Sequence, residues 1–346
     1  MFRCGCALLV FCFHSAIGVG CYYGIVDGYV QMGAVAMTGF FMLSGYVLYH
    51  SYHLNDLSNI KNVKSFYLKR CIAILPDYYI VAVLYILFLG EESVLQNIMI
   101  APIEILGLQS VFSSLFGITH NSGTWFISCM LLCYVVFPFL CEMVKQMRNK
   151  EKWIVAILIS AILLYAPFVV YIFEVQDIYS NPFFRILEFT EGILIASSIE
   201  DIRKCDKYLK MFSCGFSLMV ELLILIVGIS IAYYLGISRY NYMLYSWVAL
   251  PMFSLLIITL SMMEFKQIKY NERLSGVINY MSKCSYAFFL AQFFTWPMVR
   301  KCTAVSDRNI FKIILSFTIC MGITILIYEI IEKPSKKILK RILLKE

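Results

Sequence analysis

Long apolar runs separated by short polar stretches dominate the chain. Ten such runs can be drawn, at about 4–25, 30–50, 71–90, 125–144, 153–173, 183–199, 211–236, 243–263, 277–299 and 312–331. Each holds roughly 17 residues or more, enough for a helix to cross a bilayer core of about 30 Å. The pattern predicts an all-α polytopic membrane protein with about ten transmembrane helices. One further apolar stretch, 96–118, is interrupted by Pro102, Glu104 and two glycines. Counted as a full span it would invert every later loop, so it is expected to be re-entrant or interfacial on the outer side. Irregular backbone at membrane depth is tolerated only where protein or a water-filled cavity surrounds it.

Charge then orients the chain. With the N-terminus in the cytoplasm, the inner segments are 51–70, 145–152, 200–210, 264–275 and the tail from 332. They hold 21 of the 29 lysines and arginines, against four in the outer loops (Arg239, Arg300, Lys301 and Arg308). That asymmetry over short loops is the positive-inside pattern, so both termini are expected in the cytoplasm. The cations sit between spans rather than on one polar face, which argues against nucleic acid as a partner despite the net charge of +7. The chain is 61% hydrophobic and 15% charged, which leaves no stretch for a separate soluble domain. One integral-membrane domain is expected over 1–346. The N-terminus has a cation and an apolar core like a signal peptide, but the apolar character continues to about residue 25, so a retained first helix is expected. Most of the 13 cysteines fall inside apolar runs, where a thiol packs as a small hydrophobe; none has zinc-ligand spacing, and no metal is expected.

Few polar residues stand inside the runs, and each is expensive there. Arg3 and His14 are eleven residues apart. At about 100° per residue that is some 20° past three full turns, so both face one side of a helix, with His14 about 16 Å deeper. An arginine at the cytoplasmic surface can bind phosphates by charge-assisted hydrogen bonds. An imidazole below it, with an unperturbed pKa near 6.5, can take a proton from an attacking hydroxyl. Arg185 and Glu188 lie three apart and can pair on one helix face, with Glu191 beside them, as a structural ion pair or a functional one. Ser44-Gly45 suits close helix packing as well as chemistry. Trp125 with Tyr134 fits an interfacial aromatic belt. Lys283, Ser285, Tyr286 and Gln292 form a further polar cluster. The chain has no HExxH, Walker loop, dinucleotide glycine fingerprint or GxSxG elbow.

These residues together resemble the acyltransferase type 3 family of bacterial membrane-bound acyltransferases. Arg3, ten residues, then His14 is similar to that family's first-helix signature, and Phe40-Phe41-x-x-Ser44-Gly45 to its second. Lys69-Arg70 running to Pro76 resembles the basic motif before the third span. Thr124-Trp125-Phe126-Ile127 with Tyr134 and Pro138 resembles the fourth-span pattern. Phe184-Arg185 with Glu188-Phe189 and Gly192 resembles the sixth, Ser285-Tyr286 with Phe289-Leu290 the ninth, and Glu332-Lys333-Pro334 the C-terminal signature. Two positions depart from the family pattern. Ala73 stands where a second arginine usually follows Arg70, and Gln292 where a histidine often ends the ninth-span motif.

The resemblance implies a stand-alone O-acyltransferase of the bacterial inner membrane, moving an acyl group, acetyl above all, from acyl-CoA to a hydroxyl of a surface glycan or lipid-linked sugar. It implies no tightly bound cofactor, acyl-CoA as co-substrate and membrane lipids as surroundings. His14 would be the catalytic base, with Arg3, Arg70 and Ser44 at the donor. Phe40, Phe41, Gly45, Trp125, Arg185, Glu188 and Tyr286 would be structural or line the substrate path. The alternatives are a proton-coupled transporter of a small anion or acyl compound, with His14 as relay, and a non-catalytic scaffold. The proline breaks do not pair between halves as inverted-repeat transporters require.

Overall fold

Apolar stretches of this length fold as helices whose backbone groups are satisfied internally, and Pro76, Pro138, Pro167, Pro251 and Pro297 stand inside them. A computed structural model shows that architecture and describes residues 2–89, 93–112, 122–173, 176–203, 215–234, 246–263, 272–303 and 308–344. No strand occurs among the described residues. The helices are α1 (Phe2–Val19), α2 (Asp27–Gln31), α3 (Ala36–Tyr52), α4 (Ile60–Phe88), α5 (Val94–Ile105), α6 (Trp125–Gln146) and α7 (Asn149–Phe173). They continue as α8 (Pro182–Arg203), α9 (Gly215–Tyr234), α10 (Ser246–Met262), α11 (Glu272–Thr303), α12 (Asn309–Leu326) and α13 (Lys333–Leu339). Among the described residues, five helical stretches are long and apolar enough to cross a membrane, and a bent pair ending in α3 makes a sixth. The helices α8 and α11 are long as well, but carry charges. Residues 90, 113–118, 204–214, 235–245, 264–271 and 345–346 of the predicted segments, loops and tail lie outside the described residues.

Several boundaries differ from the pattern-based ones. The first helix stops at Val19 rather than near residue 25, because Gly20 takes φ +69° and Gly24 φ +61°, left-handed conformations that end a helix. The second segment is bent by 46° between Gln31 and Gly33. Gly33 lies against α1, where a Cβ would come within 2.7 Å of the Phe13 Cβ. The stretch 60–70, predicted as loop, is the start of α4. The Asn59 side chain accepts a hydrogen bond from the Lys61 amide at 2.9 Å and caps that helix. Its cations are therefore mounted on a helix. The helix α8 starts at a similar cap, with Asn181 Oδ1 bonded to the Phe183 amide at 2.9 Å and Pro182 at the first helical position.

The tail is also helical. The helix α12 runs through a π-helical turn, Ile327–Glu332, into α13 and a second π stretch, Lys340–Leu344. Within 96–118, α5 is 12 residues long, about 18 Å, too short to span. It turns at Gly107 (φ +62°) and is pinned to α4, with the Tyr78 hydroxyl on the Glu104 carbonyl and the Tyr79 hydroxyl on the Ile105 carbonyl, both at 2.7 Å. Buried Gln109 then donates to the Thr124 hydroxyl at 2.8 Å. The tyrosines satisfy carbonyls at the open C-terminal end of α5, and Ser128 Oγ accepts from the non-helical Ser110 amide at 3.2 Å, as a re-entrant or interfacial segment needs.

At the centre, α3 and α8 form the most extensive helix pair. A Cβ on Gly45 would overlap the Phe189 carbonyl oxygen, and one on Gly192 would overlap the Met42 carbonyl oxygen. Reciprocal glycines let the two backbones touch, the usual route to tight helix association where lipid removes the hydrophobic drive. The helices α1, α6, α7 and α10 pack around this pair, α11 packs against α1, and a cavity is left between α1, α3, α4, α6 and α11.

Candidate active site

On α1, Arg3, Ala7 and Val10 fall on one stripe at i, i+4 and i+7, and His14 is the next position along it. Arg3, Ala7 and Val10 line a cavity of about 420 Å³. Opposite them, α3 supplies Met37, Phe40, Ser44 and Leu48, α4 supplies Arg70, Ala73 and Ile74, and α6 supplies Phe126, Met130 and Tyr134. The wall is completed by Ser282, Lys283, Ser285, Tyr286, Phe289 and Gln292 of α11, and by Glu332 and Lys336 of the tail. Six segments spread over the chain thus meet at one place. The size is within the range of small-molecule sites, about 300–1,000 Å³.

Cations dominate the polar part of this wall. No ion pair among the described residues uses Arg3 or Arg70. Arg70 is held by rings instead of by carboxylates. Its guanidinium carbon lies 5.7 Å from the Tyr52 ring centre, 5.9 Å from Phe66 and 6.0 Å from Tyr134. One nitrogen donates to the Tyr52 hydroxyl at 3.3 Å, and buried Nε makes no hydrogen bond among the described residues. A ring cage keeps a guanidinium in place while leaving its charge unneutralised, so the cavity favours an anion.

His14 is half-buried, and its Nδ1 lies 2.7 Å from Oε1 of Gln292, which itself lines the cavity. With a carbonyl oxygen as partner, Nδ1 carries the proton and Nε2 keeps its lone pair. The arrangement holds a neutral imidazole in one tautomer, as a general base requires. Ser44 lines the same cavity, and its hydroxyl donates to the Phe40 carbonyl one turn back at 2.7 Å. Its proton is thereby committed, leaving Oγ as an acceptor toward the cavity. Tyr286 also lines the wall, its hydroxyl donating to the Ile74 carbonyl across to α4 at 3.2 Å.

Phe41, Gly45, Trp125, Arg185 and Glu188 lie off the cavity wall. Glu188 takes two bonds from Arg185 Nη1, at 2.9 and 2.7 Å, and one from the Thr38 hydroxyl at 2.9 Å. Arg185 Nε and Nη2 donate to the Tyr179 carbonyl at 2.8 and 2.5 Å. The rings of Tyr179, Trp125 and Phe41 surround the guanidinium carbon at 4.7, 5.4 and 5.5 Å. Such a fully bonded ion pair ties α8 to α3 and α6, and Trp125 belongs to it. Its neighbour Phe126 is the residue that lines the cavity.

Three charged groups at the site stand outside the residues singled out in the spans. Asp77 is fully buried on α4, with Oδ2 3.9 Å from Lys336 Nζ. Lys336 also pairs with Glu332 at 2.5 Å. An aspartate just after Pro76 in an apolar run was itself a signal, since an intramembrane carboxylate marks a site. Lys336 gave none, because it stood in a tail expected to be loop.

A family model described as an acyltransferase domain matches residues 1–329. No curated protein and no solved structure gives a significant match to the chain.

Proposed function

The chain belongs to the acyltransferase type 3 family, whose model covers 1–329, and from that premise we propose that it is a multi-pass O-acyltransferase of the bacterial inner membrane. It takes an acyl group, acetyl above all, from acyl-CoA on the cytoplasmic side. The acceptor is a hydroxyl of a surface glycan or a lipid-linked sugar. The observation that carries this reading is the placement of the His14–Gln292 pair along the stripe that runs up from Arg3 in the cationic cavity.

The chemistry follows from those groups. His14 Nε2 accepts the acceptor's hydroxyl proton as its oxygen attacks the thioester carbonyl carbon. The carbon–oxygen bond forms, the carbon–sulfur bond breaks, and the imidazolium returns the proton to the departing thiolate. Arg3 and Arg70 hold the anionic donor, and Ser44 and Tyr286 shape the path beside the thioester. Phe40, Phe126 and Phe289 give the cavity flat apolar faces suited to a sugar ring or an acyl arm.

The test is mass spectrometry of surface glycans from deletion cells complemented with wild type or with His14→Ala. Wild type is expected to restore the acetyl mass increment. A positioned base contributes about 10²–10⁴-fold, so His14→Ala should abolish the increment with protein still in the membrane. Full acetylation by His14→Ala would sink the assignment.

A further inference from the structure

The tail carries charge that the site described above does not use. Lys333, Lys336, Lys337 and Lys340 are spaced i, i+3, i+4 and i+7, one stripe of a helix. All four line a depression of about 510 Å³ together with Lys283 of α11, Tyr328 and Glu332. Lys333 pairs with Glu329 at 2.7 Å and Lys336 with Glu332 at 2.5 Å. Lys283, Lys337 and Lys340 have no ion pair among the described residues. Like charges at i,i+4 destabilise a helix. Gathering them on one concave face, against a fifth lysine from another helix, is favourable when an anion sits among them.

The depression shares Lys283, Glu332 and Lys336 with the cavity that holds Arg3 and Arg70. A ligand can therefore span both, with a multiply charged end among the lysines and an uncharged arm in the cavity. Phosphate esters are the anions that ammonium groups of this kind hold as point charges. The Tyr328 ring adds a face for a base to stack on. The match to the family ends at Glu329, before every lysine of the stripe.

Resting on the acyl-CoA reading, we infer that the tail stripe and Lys283 form a nucleotide-phosphate vestibule, which grips the phosphorylated adenosine end of the donor while the thioester arm enters the cavity. An anionic lipid headgroup offers the same phosphate chemistry, but its acyl chains would have to leave toward the bilayer rather than enter the cavity.

The experiment uses the full-length protein in nanodiscs of zwitterionic lipid. Calorimetry measures binding of CoA and of adenosine 3′,5′-bisphosphate to wild type, to Lys337→Ala/Lys340→Ala and to Lys337→Arg/Lys340→Arg. The alanine pair is expected to weaken both probes about tenfold or more and the arginine pair to retain them, with affinity falling as salt rises. In turnover assays the alanine pair should raise KM for acetyl-CoA and leave KM for acetyl-pantetheine, which lacks the nucleotide, unchanged. Equal affinity of wild type and the alanine pair for the bisphosphate overturns the vestibule. So does native mass spectrometry in which the alanine pair loses bound anionic lipid while CoA affinity stays the same. Bisphosphate binding that depends on the lysines, without consumption of acetyl-CoA, leaves the phosphate site standing and removes the donor reading instead.

Discussion

At the scale of single residues, the site turns on a histidine paired with an amide. Gln292 does not titrate in the physiological range, so it sets the tautomer of His14 without adding a charge of its own. On the proposed mechanism it acts through His14, as a positioning residue. Gln292→Leu should lower kcat about tenfold or more, a share of what a well-placed base contributes, while the KM for donor stays near wild type. Gln292→His keeps a partner for Nδ1 and should recover most of the loss. Steady-state kinetics in membranes decides this, and an unchanged kcat in Gln292→Leu would remove Gln292 from the mechanism. The stripe from Arg3 to His14 was legible beforehand, because a period of 3.6 fixes which residues share a helix face however the rest packs, whereas the His14–Gln292 pair joins two helices and was not. Nor was the cage around Arg70. Phe66 sits one turn before Arg70 on α4, but Tyr52 and Tyr134 stand on α3 and α6, and only tertiary packing brings those two rings to the cation. For Trp125 the sequence left a structural or a substrate-lining role open, since an aromatic residue at a span end looks alike whether it faces an interface or braces Arg185.

At the scale of elements, the crossing of α3 and α8 positions the cavity. One face of α3 carries Phe40 and Ser44 to the cavity, and another presents Gly45 to the backbone of α8. Adding a methyl group at Gly45 drives it into the Phe189 carbonyl oxygen, with no flexible side chain to yield. Overpacking of this kind costs about 1–3 kcal/mol and more where backbone must move, so Gly45→Ala should lower the melting temperature and the yield of monodisperse protein. Gly5→Ala is the control, since a Cβ there meets nothing within 4 Å. A Gly45→Ala protein as stable as that control would show that the helices can separate freely. The close packing was foreseeable from Ser44-Gly45, whereas the identity of its partner, Gly192, was visible only as part of a motif. The early start of α4 and the helical tail were missed because charge was equated with loop. The Asn59 cap was the local signal that corrects the first. The second follows from the chain itself, as nothing between Leu326 and Leu339 except Pro334 opposes a helix, and Pro334 stands early in α13, just after its first residue.

At the scale of the whole molecule, the two ends of the chain meet. Arg3, two residues from the start of the sequence, and Lys336, near its end, line one cavity. The same end of the molecule collects Lys283 and the tail stripe. On the proposed reading this face is cytoplasmic, as the positive-inside pattern of the loops predicts, and a CoA thioester is available there. The 12-residue α5 is too short to carry the chain across, which fits the expected re-entrant or interfacial segment. Two C-terminal fusions test the arrangement directly. A fluorescent protein that matures only in the cytoplasm should be bright on the C-terminus, and an alkaline phosphatase that folds only outside should be inactive there. The reverse pair of outcomes would place the lysine stripe on the outer face, out of reach of a cytoplasmic donor, and would overturn the direction of transfer together with the phosphate vestibule.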